Sequence, residues 1–203
     1  MKRGLIAVLL VWGAMVNFSA ASVAQTAAAP DTSLIDATVI AEIRAWLENP
    51  VVSMSIAAQN RKHEGLSNDA ILTLDKQWRA ERDQDDQPLI AGTLSNPLSN
   101  YLTQIQAASG GLLTEIFIMD AYGLNVGQSA ITSDYWQGDE AKFQKTFPLG
   151  PTASFIDEAE FLDGTKTWQA QVNLTIADSN NAAIGAITVQ YNLTELTRRL
   201  GSF

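Results

Sequence analysis

No cysteine occurs in the 203-residue chain, which excludes disulfides, thiolate metal sites, cysteine nucleophiles and a lipid-modified cysteine at the N-terminus. Histidine is nearly as scarce: His63 stands alone, leaving little for a histidine-rich metal site. Cations are few, with 13 Lys and Arg against 22 Asp and Glu and a formal charge of −9. A protein that tracks phosphates needs a clustered basic face, and an anionic membrane surface attracts Lys and Arg, so neither role fits. Long apolar runs are missing too: the stretch from Gly4 to Val16 falls short of the roughly 20 residues that cross a bilayer as a helix. What remains is 46% apolar and 17% charged, the balance of an ordinary acidic globular domain.

The short apolar run has the flanks of an export signal. Lys2 and Arg3 precede it, Asn17 and Ser19 restore polarity, and Ser22-Val23-Ala24 gives a small-x-small site for cleavage after Ala24. Residues 1–24 therefore read as a signal peptide, with an uncleaved membrane anchor as the alternative, and the product is expected to be periplasmic or secreted. Residues 25–33, rich in Ala, Thr and Pro, read as a flexible leader, and residues 34–203 as a single domain.

Within that domain the apolar period changes once. Ile35, Val39, Ile43, Trp46 and Leu47 recur every three or four residues, so a helix is expected there. Pro50 should kink or interrupt it, because its ring clashes with the preceding turn and it lacks an N–H. The stripe continues through Val51 and Met54 to Arg61-Lys62-His63, cations suited to a helix C-terminus. Ser67 caps a second helix carrying Ile71, Leu74 and Trp78, and Asn96-Pro97 opens a third carrying Leu98, Leu102 and Ile105. From Thr114 the period becomes two. Strands are expected at Thr114–Asp120, Leu124–Ala130, Phe155–Leu162, Lys166–Ile176 and Ala183–Tyr191, followed by a C-terminal helix. The first and last strands are apolar on both faces and so belong in the middle of a sheet. The fourth sets Trp168, Ala170, Val172, Leu174 and Ile176 against Gln169, Gln171, Asn173 and Thr175, so it lies further out or lines something wet. The expected fold is α+β, a five-stranded, mostly antiparallel sheet. Helices cover one face and the segment from Ile131 to Ser154 crosses the other.

That crossing segment is the densest source of chemistry. Residues 132–143 put Tyr135, Trp136, Gln137, Lys142 and the carboxylates of Asp134, Asp139 and Glu140 into one long connection, the kind that often forms a binding loop. Tyr135 and Trp136 offer flat apolar walls with one hydrogen-bonding handle each, and a carboxylate beside them holds a cationic group. Two readings stay open for these rings, a pocket wall or a core plug beneath the loop. Asp139 has a second reading as well, as the cap of a short helix. His63 suits a helix end better than a general base, since no G-x-S-x-G elbow accompanies it. The acidic run Asp157, Glu158, Glu160 and Asp163 lacks the order of a calcium loop and reads as a solvated edge strand. Asn173-Leu174-Thr175 and Asn192-Leu193-Thr194 match glycosylation acceptors.

The order of helices, hairpin, long connection and three-stranded meander resembles the single Cache domains, also called PDC sensor domains, of bacterial extracytoplasmic receptors. Ile116-Phe117-Ile118-Met119-Asp120-Ala121-Tyr122-Gly123 looks like the family's strand and D-x-x-G turn. Ser133-Asp134-Tyr135-Trp136-Gln137-Gly138-Asp139-Glu140 looks like its binding segment, and Thr175-Ile176-Ala177-Asp178 with Ile184-Gly185-Ala186-Ile187-Thr188-Val189 looks like its closing hairpin. The resemblance implies a PAS-like fold with a small molecule held between sheet and binding segment. It points to Tyr135, Trp136 and Asp139, and also to Lys142 and Trp168. Ser133 and Asp134 stand where amino-acid-binding members carry an arginine, so an amino acid held by such a residue is not implied. Family members lead through a membrane helix into a signalling module, so the resemblance implies a membrane receptor or kinase as partner. The N-terminal helix is a candidate homodimer contact. Neither an enzymatic role nor a cofactor or metal is expected, and no nucleic acid. The alternatives are a ligand-free module docking on a receptor and, behind it, a periplasmic hydrolase built on His63.

Overall fold

The computed structural model describes residues 28–201, and the proposed signal peptide lies outside them. Asp31 caps a single 3-10 turn, Thr32–Leu34, and Asp36 then caps helix α1, Ala37–Leu47. Pro50 does more than bend this helix. The Asn49 side chain accepts the Val51 N–H, and Pro50 occupies the first turn of a new helix, α2, Pro50–Lys62. Ser67 caps α3, Asn68–Glu81, and Asn96 caps α5, Pro97–Ala108, as their sequences predict. Caps of this kind are typically worth about 1 kcal/mol each. Between them lies a helix the sequence does not announce, α4, Pro88–Leu94. Gln87, at its N-cap position, makes no side-chain capping bond. The cap comes from α3 instead, where buried Glu81 accepts the Leu89 and Ile90 N–H groups at 2.8 and 2.9 Å. A carboxylate there also complements the positive end of the helix dipole.

Six strands follow: β1 Leu113–Met119, β2 Asn125–Gln128, β3 Ser154–Ile156, β4 Glu160–Leu162, β5 Thr167–Ala177 and β6 Ala183–Asn192. The short helix α6, Ala141–Gln144, interrupts the connection from β2 to β3, and α7, Leu193–Leu200, closes the described chain. All strand pairings are antiparallel, in the order β2-β1-β6-β5-β3, with β4 also on β5. The two strands apolar on both faces, β1 and β6, pair with each other inside the sheet, as expected. The sheet has six strands rather than five because the outer one is broken. Ile156 pairs with Val172 and Glu160 with Gln169, so residues 157–159 oppose only Ala170 and Gln171. This one-residue excess is a β-bulge, which bends an edge and re-aims its side chains.

The two faces of the sheet differ in character. Ile116, Ile118, Val172, Leu174, Ile187 and Val189 pack on Ile43, Val52, Ile56, Leu98 and Leu102 of α1, α2 and α5 to form the main core. The opposite face is apolar only near β1, where Phe117, Met119 and Ala186 meet Phe143 and Phe147 of the crossing segment. Elsewhere it carries amides and hydroxyls. Asn173 on this face is fully buried between Thr188 and the Phe155 carbonyl, and Asn192 caps α7 through the Glu195 N–H. Both possible glycosylation acceptors are therefore engaged in the fold.

Candidate functional site

The polar face of β5 and β6 floors a cavity of about 500 Å³. Its floor is a hydrogen-bonded ladder of glutamines. Gln169 Oε1 accepts from Thr114 Oγ1 and Gln190 Nε2, both at 2.8 Å, while Gln171 Nε2 donates to Gln190 Oε1 at 3.4 Å. The ladder follows from register, since Gln171 sits directly opposite Gln190. One wall comes from the start of α6, where Glu140, Ala141 and Lys142 face the cavity. The other wall is the bulged edge, with Asp157, Glu158 and Glu160.

The charges on these walls are not equivalent. Lys142 is the only cation in the lining, and its side chain is 14% exposed. Its ammonium lies 2.9 Å from Glu140 Oε2, donates to Gln137 Oε1 at 3.3 Å and stands 5.4 Å from the Phe117 ring centre. Half-buried Glu115 on β1 also feels this cation. Burial pushes its carboxyl up to about 7, and the positive charge of Lys142 draws it partly back. On the opposite wall Asp157 is half-buried and Glu158 and Glu160 are exposed. None of the three takes part in an ion pair among the described residues. The cavity thus combines neutral amides, one cation already balanced and three carboxylates that are not. The described residues include no group of three or more His, Asp or Glu side chains placed to hold a metal.

Of the five residues singled out from sequence, Lys142 alone reaches this cavity. Tyr135 is 4% exposed and stacks on Trp78, with ring centres 5.3 Å apart, in a separate cluster with Ile71, Ile90 and Leu124. Burial pushes its phenol pKa upward, with the negative charge of Asp120 adding to the effect. Trp136 donates its indole N–H to the Tyr122 carbonyl at 2.9 Å, and its ring fills the space beside Gly138. Gly123, at φ +81°, approaches Gly138 so closely that a side chain on it would strike the Gly138 backbone. The two rings pack in this cluster, outside the cavity floored by the glutamines, and Tyr135 also borders a smaller cavity of about 270 Å³ with Gln59, Thr93 and Val126. The backbone N–H groups of Tyr135 and Trp136 are both pinned by Asp75 Oδ1, at 3.0 and 3.1 Å. Asp139 is exposed, and Glu140 takes the N-cap position of α6 without a side-chain capping bond. Trp168 lies on the helix-covered face, tilted against Phe161 at 5.4 Å.

His63 ends α2, as its neighbours suggest, but it is turned inward. Its Nδ1 lies 2.7 Å from Asp120 Oδ2, and both residues are buried. Asp120 also accepts from Gln59 and from the Tyr122 and Leu124 N–H groups, so it fastens α2 to the β1–β2 turn. Glu115 and Gln190 are not singled out from sequence, whereas Gln169 and Gln171 stand on a face expected to lie further out or line something wet. In the sequence Asp157, Glu158 and Glu160 read as a solvated edge rather than a cavity wall. The signal for Gln169 and Gln171 is the polar alternate face of β5, and the acidic run does lie on the edge as expected. Another groove of about 510 Å³ lies beside α1, but its Arg44 is already committed to the Thr175 carbonyl.

No family model matches the chain, and no curated protein matches it. Among solved structures it is similar to the ligand-binding domain of the Pseudomonas aeruginosa PAO1 amino acid chemoreceptor PctC in complex with GABA. Identity there is 16%, over 82% of this chain and 65% of that one, with a TM-score of 0.37. It is also similar to the E. coli DcuS sensor domain, at 14% identity over 73% of this chain and 99% of that one, with a TM-score of 0.40. The V. cholerae histidine kinase DctB sensor domain matches at 14% identity over 79% of this chain and 58% of that one, with a TM-score of 0.33. The chain thus spans less than two thirds of the PctC and DctB domains. In solved structures the likeness falls on sensor and ligand-binding domains of a chemoreceptor and a histidine kinase, and the chain itself is an α+β domain with a six-stranded antiparallel sheet.

Proposed function

We propose that the chain is an extracytoplasmic binding domain of the Cache type that holds a small polar molecule in the cavity between the glutamine ladder and α6. Occupancy would pass to a membrane receptor or kinase. The observation that carries this reading is the cavity: about 500 Å³, within the range of small-ligand sites, floored by side chains already ordered by mutual hydrogen bonds. It lies between sheet and crossing segment, where the sequence resemblance puts a ligand. Pre-ordered floor amides lose little entropy on binding, which favours affinity for a small partner. A ligand touching both α6 and the bulged edge shifts their relative placement by its differential affinity for the two arrangements. His63 is buried on Asp120 and does not line this cavity, so the hydrolase alternative draws no support from the site proposed here.

A ligand-free docking module expects Tyr135 and Trp136 in the core, and they lie there. It also expects the polar strand face to meet a partner, yet α6 roofs part of that face. The deciding experiment is a thermal-shift panel of amines, carboxylates, amino acids and nucleobases on the chain and on Gln171→Trp, which fills the cavity. A ligand at 100 times its Kd adds about 2.7 kcal/mol, raising Tm by roughly 2–4 °C per kcal/mol. The expected result is a shift from one chemical class that disappears in Gln171→Trp. Silence across the panel, or a shift that survives the substitution, overturns the cavity as the site.

A further inference from the structure

The walls of the cavity say which charge its occupant carries. Lys142 is unavailable to an anion, because Glu140 lies 2.9 Å from its ammonium and Glu115 lies within its field. An incoming carboxylate would have to displace Glu140 and then face the opposite wall, where Asp157, Glu158 and Glu160 have no cation of their own. Charges on an edge strand ordinarily serve to prevent edge pairing, and a solvated edge would account for Glu158 and Glu160. It does not account for Asp157, which is half-buried and faces the cavity, its backbone N–H donating to the Gln171 carbonyl at 2.9 Å. The floor adds directionality. Gln190 Oε1 accepts one bond within the ladder and has capacity for another, and Gln171 contributes a second amide oxygen.

Resting on the cavity reading above, we propose that the ligand is a small primary amine or diamine whose ammonium group is held between the bulge carboxylates and the glutamine oxygens. A primary ammonium has three N–H donors, which suits a site made of two kinds of acceptor. A quaternary ammonium has the charge without the donors and is the poorer fit. Excluding water from the half-buried Asp157 side strengthens the attraction relative to an exposed pair.

The test is calorimetry on the full chain with matched four-carbon probes: putrescine and butylamine as cations, succinate and butyrate as anions. Putrescine and butylamine are expected to bind and the acids to be silent. The double substitution Glu158→Gln, Glu160→Gln removes two exposed charges without touching the core and should weaken putrescine about tenfold. Its Tm without ligand is the control for folding. Putrescine binding unchanged in the double variant overturns the proposal, as does silence of both amines at millimolar concentration. Succinate binding that is lost in Gln171→Trp overturns the amine assignment and leaves the cavity reading standing. If the panel above and all four probes are silent, the cavity reading falls with it.

Discussion

Burial moves the ionisation of Glu115 toward neutral pH. Its carboxyl is raised to about 7, chiefly by burial and against the pull of Lys142, so the folded chain keeps a proton that the unfolded chain releases from near 4.5 upward. A raised carboxylate contributes stability that is full below the unfolded pKa and is lost as pH rises through the folded one. Wild type should therefore lose ground to Glu115→Gln between about pH 5 and pH 8. Melting temperatures of the two proteins at both ends of that interval check this: the gap should move in favour of the variant, and parallel pH profiles would refute it. Little of this was visible in the sequence, where Glu115 is one polar residue in an apolar strand. The cation that acts on it, Lys142, belongs to α6, which begins 26 residues later in the chain. Tyr135 and Trp136 show the same limit. Two adjacent aromatics announce that something large is packed or bound. Only the Asp75 carboxylate, which grips both backbone N–H groups, and Trp78 one helical turn beyond it decide for packing.

At the scale of elements, legibility tracks how local the cause is. The helices capped by Ser67, Asn96 and Asn192 carry their start signals in their own sequence, and Pro50 sits next to the Asn49 that makes it a beginning. Helix α4 was missed because Glu81, which caps it, belongs to another helix. The bulge was missed because it exists only relative to β5: residues 155–162 read as one strand until their register is known. That register makes a sharp prediction. Deleting Glu158 leaves two residues opposite Ala170 and Gln171, so β3 and β4 become one regular strand. The deletion takes Glu158 out of the cavity wall and straightens the edge that forms it, while Asp157 keeps its place opposite Gln171. The shortened protein should fold with an unimpaired Tm, since an irregularity is lost rather than a core contact. It should no longer respond to any compound that shifts wild type. Amide exchange across residues 154–162 reports the outcome directly: slowed exchange together with retained ligand binding would show that the bulge is not part of the site.

The arrangement of the whole sheet was the most legible feature, because two-sided apolar strands have only one kind of place to go. β1 and β6 had to be central, and the segment bearing Phe143 and Phe147 had to cover the face that the N-terminal helices leave free. Charge is the other property that belongs to the whole molecule. A formal charge of −9 is spread over a surface where, among the described residues, most carboxylates form no ion pair, and mutual repulsion of that kind destabilises the compact state. Among the described residues the exposed or partly exposed ion pairs that salt would weaken are few: Arg79 with Asp75 and Asp134, Lys142 with Glu140, Lys166 with Asp163, and Glu195 with Arg198 and Arg199. Solvent already screens pairs of this type, so little attraction is there to lose. Raising ionic strength from about 20 to 300 mM shortens the screening length severalfold, so repulsion relaxes over the whole surface while little attraction is lost. The Tm of the free protein should therefore rise with added NaCl. The affinity for an ammonium ligand should fall over the same interval, because its partners are carboxylates at an open rim. Salt thus separates the two roles of the acidic residues. A Tm that falls with NaCl would mean that the surface ion pairs outweigh the net repulsion. An amine affinity indifferent to NaCl would mean that Glu158 and Glu160 do not face the bound cation.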